Sequence, residues 1–258
     1  MKDLLIGSVY STSDRNNYWY KLQTDFIKKN TTNVEYDFSI YFNCKKEEYE
    51  EEQIFEKNII ARGLNNYYLS ENHKNGLNYI IKYAKEKKYK NLLLLDSDCF
   101  PIKEKWFNEL LWLTKDVHYA APIRFENLDN FPHPCCFFIK NITDSNVFFL
   151  FQEITTLVGQ KINECIPNID NFYPLIRSNY NNLDPIICGI YKDMFYHHAC
   201  GSRVGKSSRS NDLNYYGMLN SLNRINKHEN ILYEKLIRDP EKFISSLMRN
   251  NQNKEMLI

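Results

Sequence analysis

Apolar and polar positions change period several times along the first half of the chain. Residues 3–10, DLLIGSVY, form an almost unbroken apolar run of strand length, and RNNYWYKLQTDFIKK (15–29) follows with helical spacing. VEYDFSIYF (34–42) alternates toward a second strand, and NNYYLS (65–70) reads as a short third one. HKNGLNYIIKYAKEKKYK (73–90) places Leu77, Ile80, Ile81 and Ala84 on one helical face with lysines opposite. NLLLL (91–95) is the fourth strand, and KEKWFNELLWLTK (103–115) is another amphipathic helix. The mixed-charge run KKEEYEEEQ (45–53) reads as a solvated helix start. Alternation of strand and helix predicts an α/β fold, with a mostly parallel central sheet and helices on both faces.

The pattern changes after residue 118. HYAAPIRF (118–125) and CCFFIK (135–140) read as strands around the loop ENLDNFPHP, and NVFFLFQEITTLVGQK (146–161) as a helix. Residues 160–185 look irregular, with Pro167, Pro174 and Pro185 among them. PIICGIYKDMFYHH (185–198) reads as one strand, ACGSRVGKSSRSN (199–211) as a polar loop, and the chain from Asp212 onward as helical. With no repeat or linker, the expected organisation is one domain over 1–211, with a helical extension, 212–258, packed on it.

Composition narrows the functional classes only a little. A chain of 258 residues can bury a full core, and a net charge of +1 gives no sign of a general polyanion binder. The 19 tyrosines and 16 phenylalanines, with many Asn and Lys and only 8 glycines, reflect an AT-rich coding bias rather than a function. Seven cysteines are an odd number at spacings that fit no zinc motif, so buried thiols in a reducing, cytoplasmic compartment are expected (the host's, for a viral chain). No apolar run approaches the ~18 residues of a membrane span, and MKDLLIGSVYSTSD reads as a first strand rather than a signal peptide.

Chemistry enters at NLLLLDSDCFPI (91–102), where a leucine-rich strand ends on Asp96 and Asp98. With 14 aspartates in the chain, about 0.75 such D-x-D pairs arise by chance, so the neighbourhood decides. In an open parallel sheet, ligands bind beyond the carboxyl ends of the strands. Paired carboxylates there suit Mn2+ or Mg2+, which in turn binds diphosphate oxygens. The competing reading makes Asp98 a helix cap, which leaves Asp96 unexplained.

Three segments in this order resemble the GT-A glycosyltransferases: NHKNGLNYIIKYAKEKKYKNLLLLDSDCFPI, FPHPCCFFIK and GIYKDMFYHHACGSR. The resemblance covers roughly residues 4–206 and implies a Rossmann-like sheet and a nucleotide-sugar donor. It implies that Asp96 contacts ribose or metal, that Asp98 binds the metal, and that His197 or His198 is the third ligand. Successive strand residues face opposite ways, so one histidine of the pair ligates; which one stays open. Arg203 and Lys206 would face the diphosphate. Tyr10, Thr12 and Asp14, at the exit of the first strand, and Asn43 and Asn72 would lie on the nucleotide side. His133 would lie on the acceptor side.

Transfer with inversion also needs a base for the acceptor hydroxyl. Glu153 in LFQEITT is the first candidate, although Gln152 replaces one member of the usual acidic pair; Asp184 and Asp193 are the alternatives. The acceptor class is open among a glycan, a lipid-linked sugar, a protein and a modified nucleic-acid base. A nucleotidyltransferase would also pair carboxylates with Mg2+, and a non-catalytic nucleotide-sugar or glycan-binding module would use the same crevice.

Overall fold

The computed structural model describes residues 2–11, 16–44, 56–64, 69–123, 132–145, 147, 172–179, 188–198 and 231–249. Its first half is the predicted alternation: β1 (Leu4–Ser11), α1 (Asn16–Asn30), β2 (Tyr36–Cys44), β3 (Ile59–Leu64), α2 (Leu69–Glu86) and β4 (Asn91–Asp96). There follow β5 (Cys99–Pro101), α3 (Trp106–Leu113), β6 (Tyr119–Ile123), β7 (Cys136–Ile139), β8 (Phe172–Ile176), β9 (Gly189–Tyr191) and β10 (Phe195–His197). A helical stretch at 231–238 precedes α4 (Pro240–Arg249).

Seven strands form one sheet in the order β3-β2-β1-β4-β7-β6-β8, with β7 antiparallel to both neighbours and the other pairs parallel. The leucine run follows from this position. β4 is covered on both faces, so Leu92 and Leu94 pack with Leu77, Ile80, Ile81 and Ala84 of α2. Leu93 and Leu95 pack on the other face with Ile27 of α1 and Trp106, Phe107 and Leu110 of α3. A β-carbon on Gly7 would collide with Ile80 Cγ2, so the glycine in β1 lets α2 lie directly on the strand. The expected α/β class, with helices on both faces, is the observed one.

Three readings need correction. The third strand is Ile59–Leu64, and 69–70 already belong to α2. The stretch read as irregular contains β8, whose Pro174 is tolerated because the strand lies at the sheet edge. The single strand expected at 185–198 is a hairpin: Lys192 and Asp193 have φ of 53° and 54°, and Met194 N–H donates to Tyr191 O at 3.0 Å. This is the two-residue turn whose twist matches antiparallel strands. The helices expected from KKEEYEEEQ and NVFFLFQEITTLVGQK lie outside the described residues.

The hairpin makes a second sheet, β5-β10-β9. Its register sets His197 opposite Cys99, and His198 N–H donates to Asp98 O at 3.1 Å. A late strand is thereby laid beside the end of β4. The C-terminal helices add Leu232, Tyr233, Leu236, Phe243, Ile244 and Leu247 to the apolar cluster that holds Trp19, Leu22 and Phe26 of α1.

Candidate metal centre

β1 leads to β2 and β3 on one side, while β4 lies on its other side. The crevice at such a reversal of strand order is where open α/β sheets bind ligands. Asp96 pairs in register with Val9 of β1 and is the last residue of β4, so the D-x-D stands at that crevice. Asp96 N–H donates to Cys135 O at 2.9 Å, which ties the strand end to the segment entering β7.

Asp96, Asp98 and His197 converge here, their ligand atoms all within 4.8 Å of one another. His197 Nε2 is 3.5 Å from Asp98 Oδ1 and 3.6 Å from Asp96 Oδ2. Asp98 and His197 are both 4% exposed. His73, in the second turn of α2, brings Nε2 to 3.2 Å from Asp96 Oδ1. Among the described residues that buried oxygen finds no donor in hydrogen-bonding geometry. Burial pushes the Asp96 carboxyl up, but His73 and His197 more than offset it and hold the group below its ordinary value.

A divalent cation fits this donor set. Two carboxylates in a nearly closed space repel each other and lose hydration, and one buried carboxylate oxygen is left with coordination capacity. Two oxygens and an imidazole nitrogen suit Mn2+ better than Mg2+, which favours oxygen alone. Among the described residues this is the one such cluster of metal-ligating side chains.

The other sequence-predicted residues fall in different places. His198 is not part of the group. Its ring is fully buried on the opposite side, with Nδ1 2.7 Å from Tyr196 Oη and its ring centroid 5.1 Å from that of Trp19. Asp193 is exposed at the tip of the β9–β10 hairpin, with its backbone N–H donating to Ser178 Oγ at 3.0 Å. Tyr10 reaches toward α1. It is fully buried and its hydroxyl donates to Gln23 Oε1 at 2.9 Å; burial, then Tyr20 and Asp98, push its pKa well up.

Asn43 and Asn72 come together: Asn43 Nδ2 donates to Asn72 O at 3.1 Å, joining the end of β2 to the start of α2. A β-carbon on Gly63 would stand 2.6 Å from Asn43 Oδ1, so the glycine of β3 makes room for that amide. His133 lies beside the centre, its ring centroid 6.1 Å from that of His197. Its Nδ1 accepts from Cys135 N–H at 3.2 Å, which leaves Nε2 to carry the proton. Thr12, Asp14, Glu153, Asp184, Arg203 and Lys206 lie outside the described residues.

Two residues of the site were missed by sequence reasoning. His73 carries no local signal, because its role arises from where α2 ends up. Gln23 does carry one: it is a polar residue in the buried stripe of α1 that contains Trp19, Leu22, Phe26 and Ile27.

Several solved structures resemble this chain. A protein of Desulfovibrio desulfuricans G20 assigned as a nucleotide-diphospho-sugar transferase is 13% identical, with a TM-score of 0.48 over 92% of this chain and 98% of that one. TarS of S. aureus, solved in complex with UDP-GlcNAc, is 12% identical, with a TM-score of 0.45 over 72% of this chain and 60% of that one. Mouse xyloside xylosyltransferase 1 is 9% identical, with a TM-score of 0.34 over 55% of this chain and 67% of that one. No protein-family model and no curated protein matches the chain.

Proposed function

We propose that this chain is a metal-dependent glycosyltransferase of the GT-A type, moving a sugar from a nucleoside-diphosphate donor to an acceptor hydroxyl with inversion. The observation that carries the reading is the convergence of Asp96, Asp98 and His197 at the carboxyl end of β4, beside β1. Asp96, Asp98 and His197 would hold Mn2+, and the cation, when bound, would supply neutralisation of charge on the leaving diphosphate. Asn43 and Asn72 stand on the nucleoside side. Arg203 and Lys206 follow His197 closely in sequence and suit the diphosphate, Arg203 through paired N–H donors. His133, protonated at Nε2, faces the acceptor. Glu153 takes the proton of the acceptor hydroxyl, with Asp184 and Asp193 as its alternatives.

Residues 1–211 form the catalytic domain in this reading, and 212–258 extend it. The cluster shared by Leu236, Phe243 and Leu247 with Trp19 and Phe26 supports the packing of that extension on the domain. No described helix is long and apolar enough to cross a membrane.

A panel of nucleotide sugars, incubated with the protein and Mn2+, tests the function. Release of free nucleoside diphosphate that disappears in Asp98→Asn is the expected result. Pyrophosphate release in a parallel reaction supplied with a nucleoside triphosphate and a sugar 1-phosphate would instead make the chain a nucleotidyltransferase. Binding of a nucleotide sugar with no turnover on any acceptor tried would make it a binding module.

A further inference from the structure

The chain leaves β4 at Asp96, turns through Ser97 and Asp98, and enters β5 at Cys99. Both carboxylates keep their directions only if this turn keeps its shape. Gln23 of α1 grips it from behind: its Nε2 donates to Asp96 O at 2.9 Å and to Cys99 O at 2.7 Å. One side-chain amide thus spends both of its hydrogens on the two carbonyls that flank the Ser97–Asp98 turn. Oε1 accepts from Tyr10 Oη, and Gln23 and Tyr10 are fully buried. A flipped amide would turn its oxygen toward two carbonyl oxygens, so the network fixes the orientation. Two helical turns later on the same face of α1, Asn30 Nδ2 donates to Pro101 O at 2.9 Å. The helix therefore holds β5 at both ends.

We infer that Gln23, steadied by Tyr10, is a positioning residue for the cation site, setting the shape of the Asp96–Cys99 turn without touching ligand or ion. The inference rests on the metal reading proposed above. Partners of this kind, one step behind the ligands, typically cost about 10- to 100-fold in metal affinity when removed.

The test is Mn2+ affinity of the full chain, read from loss of the free-ion signal in electron paramagnetic resonance, beside thermal denaturation. Gln23→Met keeps the volume and removes the donors. Tyr10→Phe leaves Gln23 in place but loosens it. Thr31→Val breaks a buried hydrogen bond from Trp106 Nε1, at the far end of α1, and controls for general destabilisation. Expected are Mn2+ binding by the wild type that is lost in Asp98→Asn, affinity about 10- to 100-fold weaker in Gln23→Met, a smaller loss in Tyr10→Phe, and wild-type affinity in Thr31→Val. A folded Gln23→Met with wild-type affinity overturns the inference and leaves the metal reading standing. If Gln23→Met does not fold, wild-type affinity in Tyr10→Phe overturns it. Absence of Asp98-dependent binding in the wild type overturns both readings.

Discussion

His197 and His198 are adjacent in sequence, yet their rings serve opposite sides of the same strand end. His197 directs Nε2 at Asp98 Oδ1, 3.5 Å away, while His198 Nδ1 lies 2.7 Å from Tyr196 Oη among Trp19 and Tyr233. The pleat alone separates the two roles, because successive strand side chains alternate. One imidazole is left to the crevice and the other is fixed in the core.

The two alanine substitutions should therefore have opposite signatures. His197→Ala is expected to lose Mn2+-dependent donor binding while its melting temperature stays near wild type. His198→Ala opens a cavity and strips Tyr196 of a buried partner, a loss of about 2–4 kcal/mol, and weakens Mn2+ binding much less. Mn2+ titration alongside urea denaturation separates them. Equal and mild effects on both would remove His197 from the ligand set.

Asp98→Asn should abolish transfer and hold or raise the stability of the metal-free protein. It removes one of two like charges from a space where Asp98 is 4% exposed. Turnover and thermal melting without metal check the two halves of the prediction, and unchanged turnover would sink the D-x-D assignment.

A third prediction lies away from the site, at Asp37. Its carboxylate accepts from Lys2 Nζ at 2.6 Å and from the Tyr89 hydroxyl. Burial pushes the carboxyl up, but these two hydrogen bonds outweigh it and leave the pKa lowered. A depressed carboxyl contributes stability that is fully present above the unfolded value of about 3.9 and is lost as pH falls through the lower folded value. Asp37→Asn should thus reduce stability at pH 7 and flatten its fall on the acid side. Urea midpoints from pH 7 to pH 2 measure this; parallel curves for mutant and wild type would contradict it.

The base is tested at Glu153. Glu153→Gln should cut transfer by about 100-fold or more, the usual contribution of a general base, with donor and Mn2+ affinities unchanged because the base acts on the acceptor. Full activity in the mutant would pass the role to Asp184 or Asp193, and dispensability of all three would favour a retaining reaction.

β1 and β4 could be read because they are buried on both faces and show as apolar runs. The D-x-D could be read because two carboxylates end one of those runs. β3 was displaced in the reading because it is an edge strand carrying Arg62 and Gly63, whose pattern is weaker than the aromatic NNYYLS beside it. The β9–β10 hairpin was read as continuous because Lys192 and Asp193 make its left-handed turn without the usual Gly or Asn. His73 was invisible for another reason. Its meaning comes from Asp96, a partner brought to it by the packing of α2 on β4, and no local periodicity encodes that.

The β5-β10-β9 sheet also fixes when the centre can come into being. Asp98 and His197 are roughly a hundred residues apart, so at a synthesis rate of about 5–20 residues per second the imidazole follows the carboxylates by about 5–20 seconds. During that interval the nascent chain can already align β1 to β4, while the cation site lacks its nitrogen. On the metal reading, capture of a cation by all three side chains then follows the synthesis of β10 rather than seeding the fold. A chain that ends before Phe195 would carry both aspartates at the end of a formed strand and still be unable to complete the coordination shell.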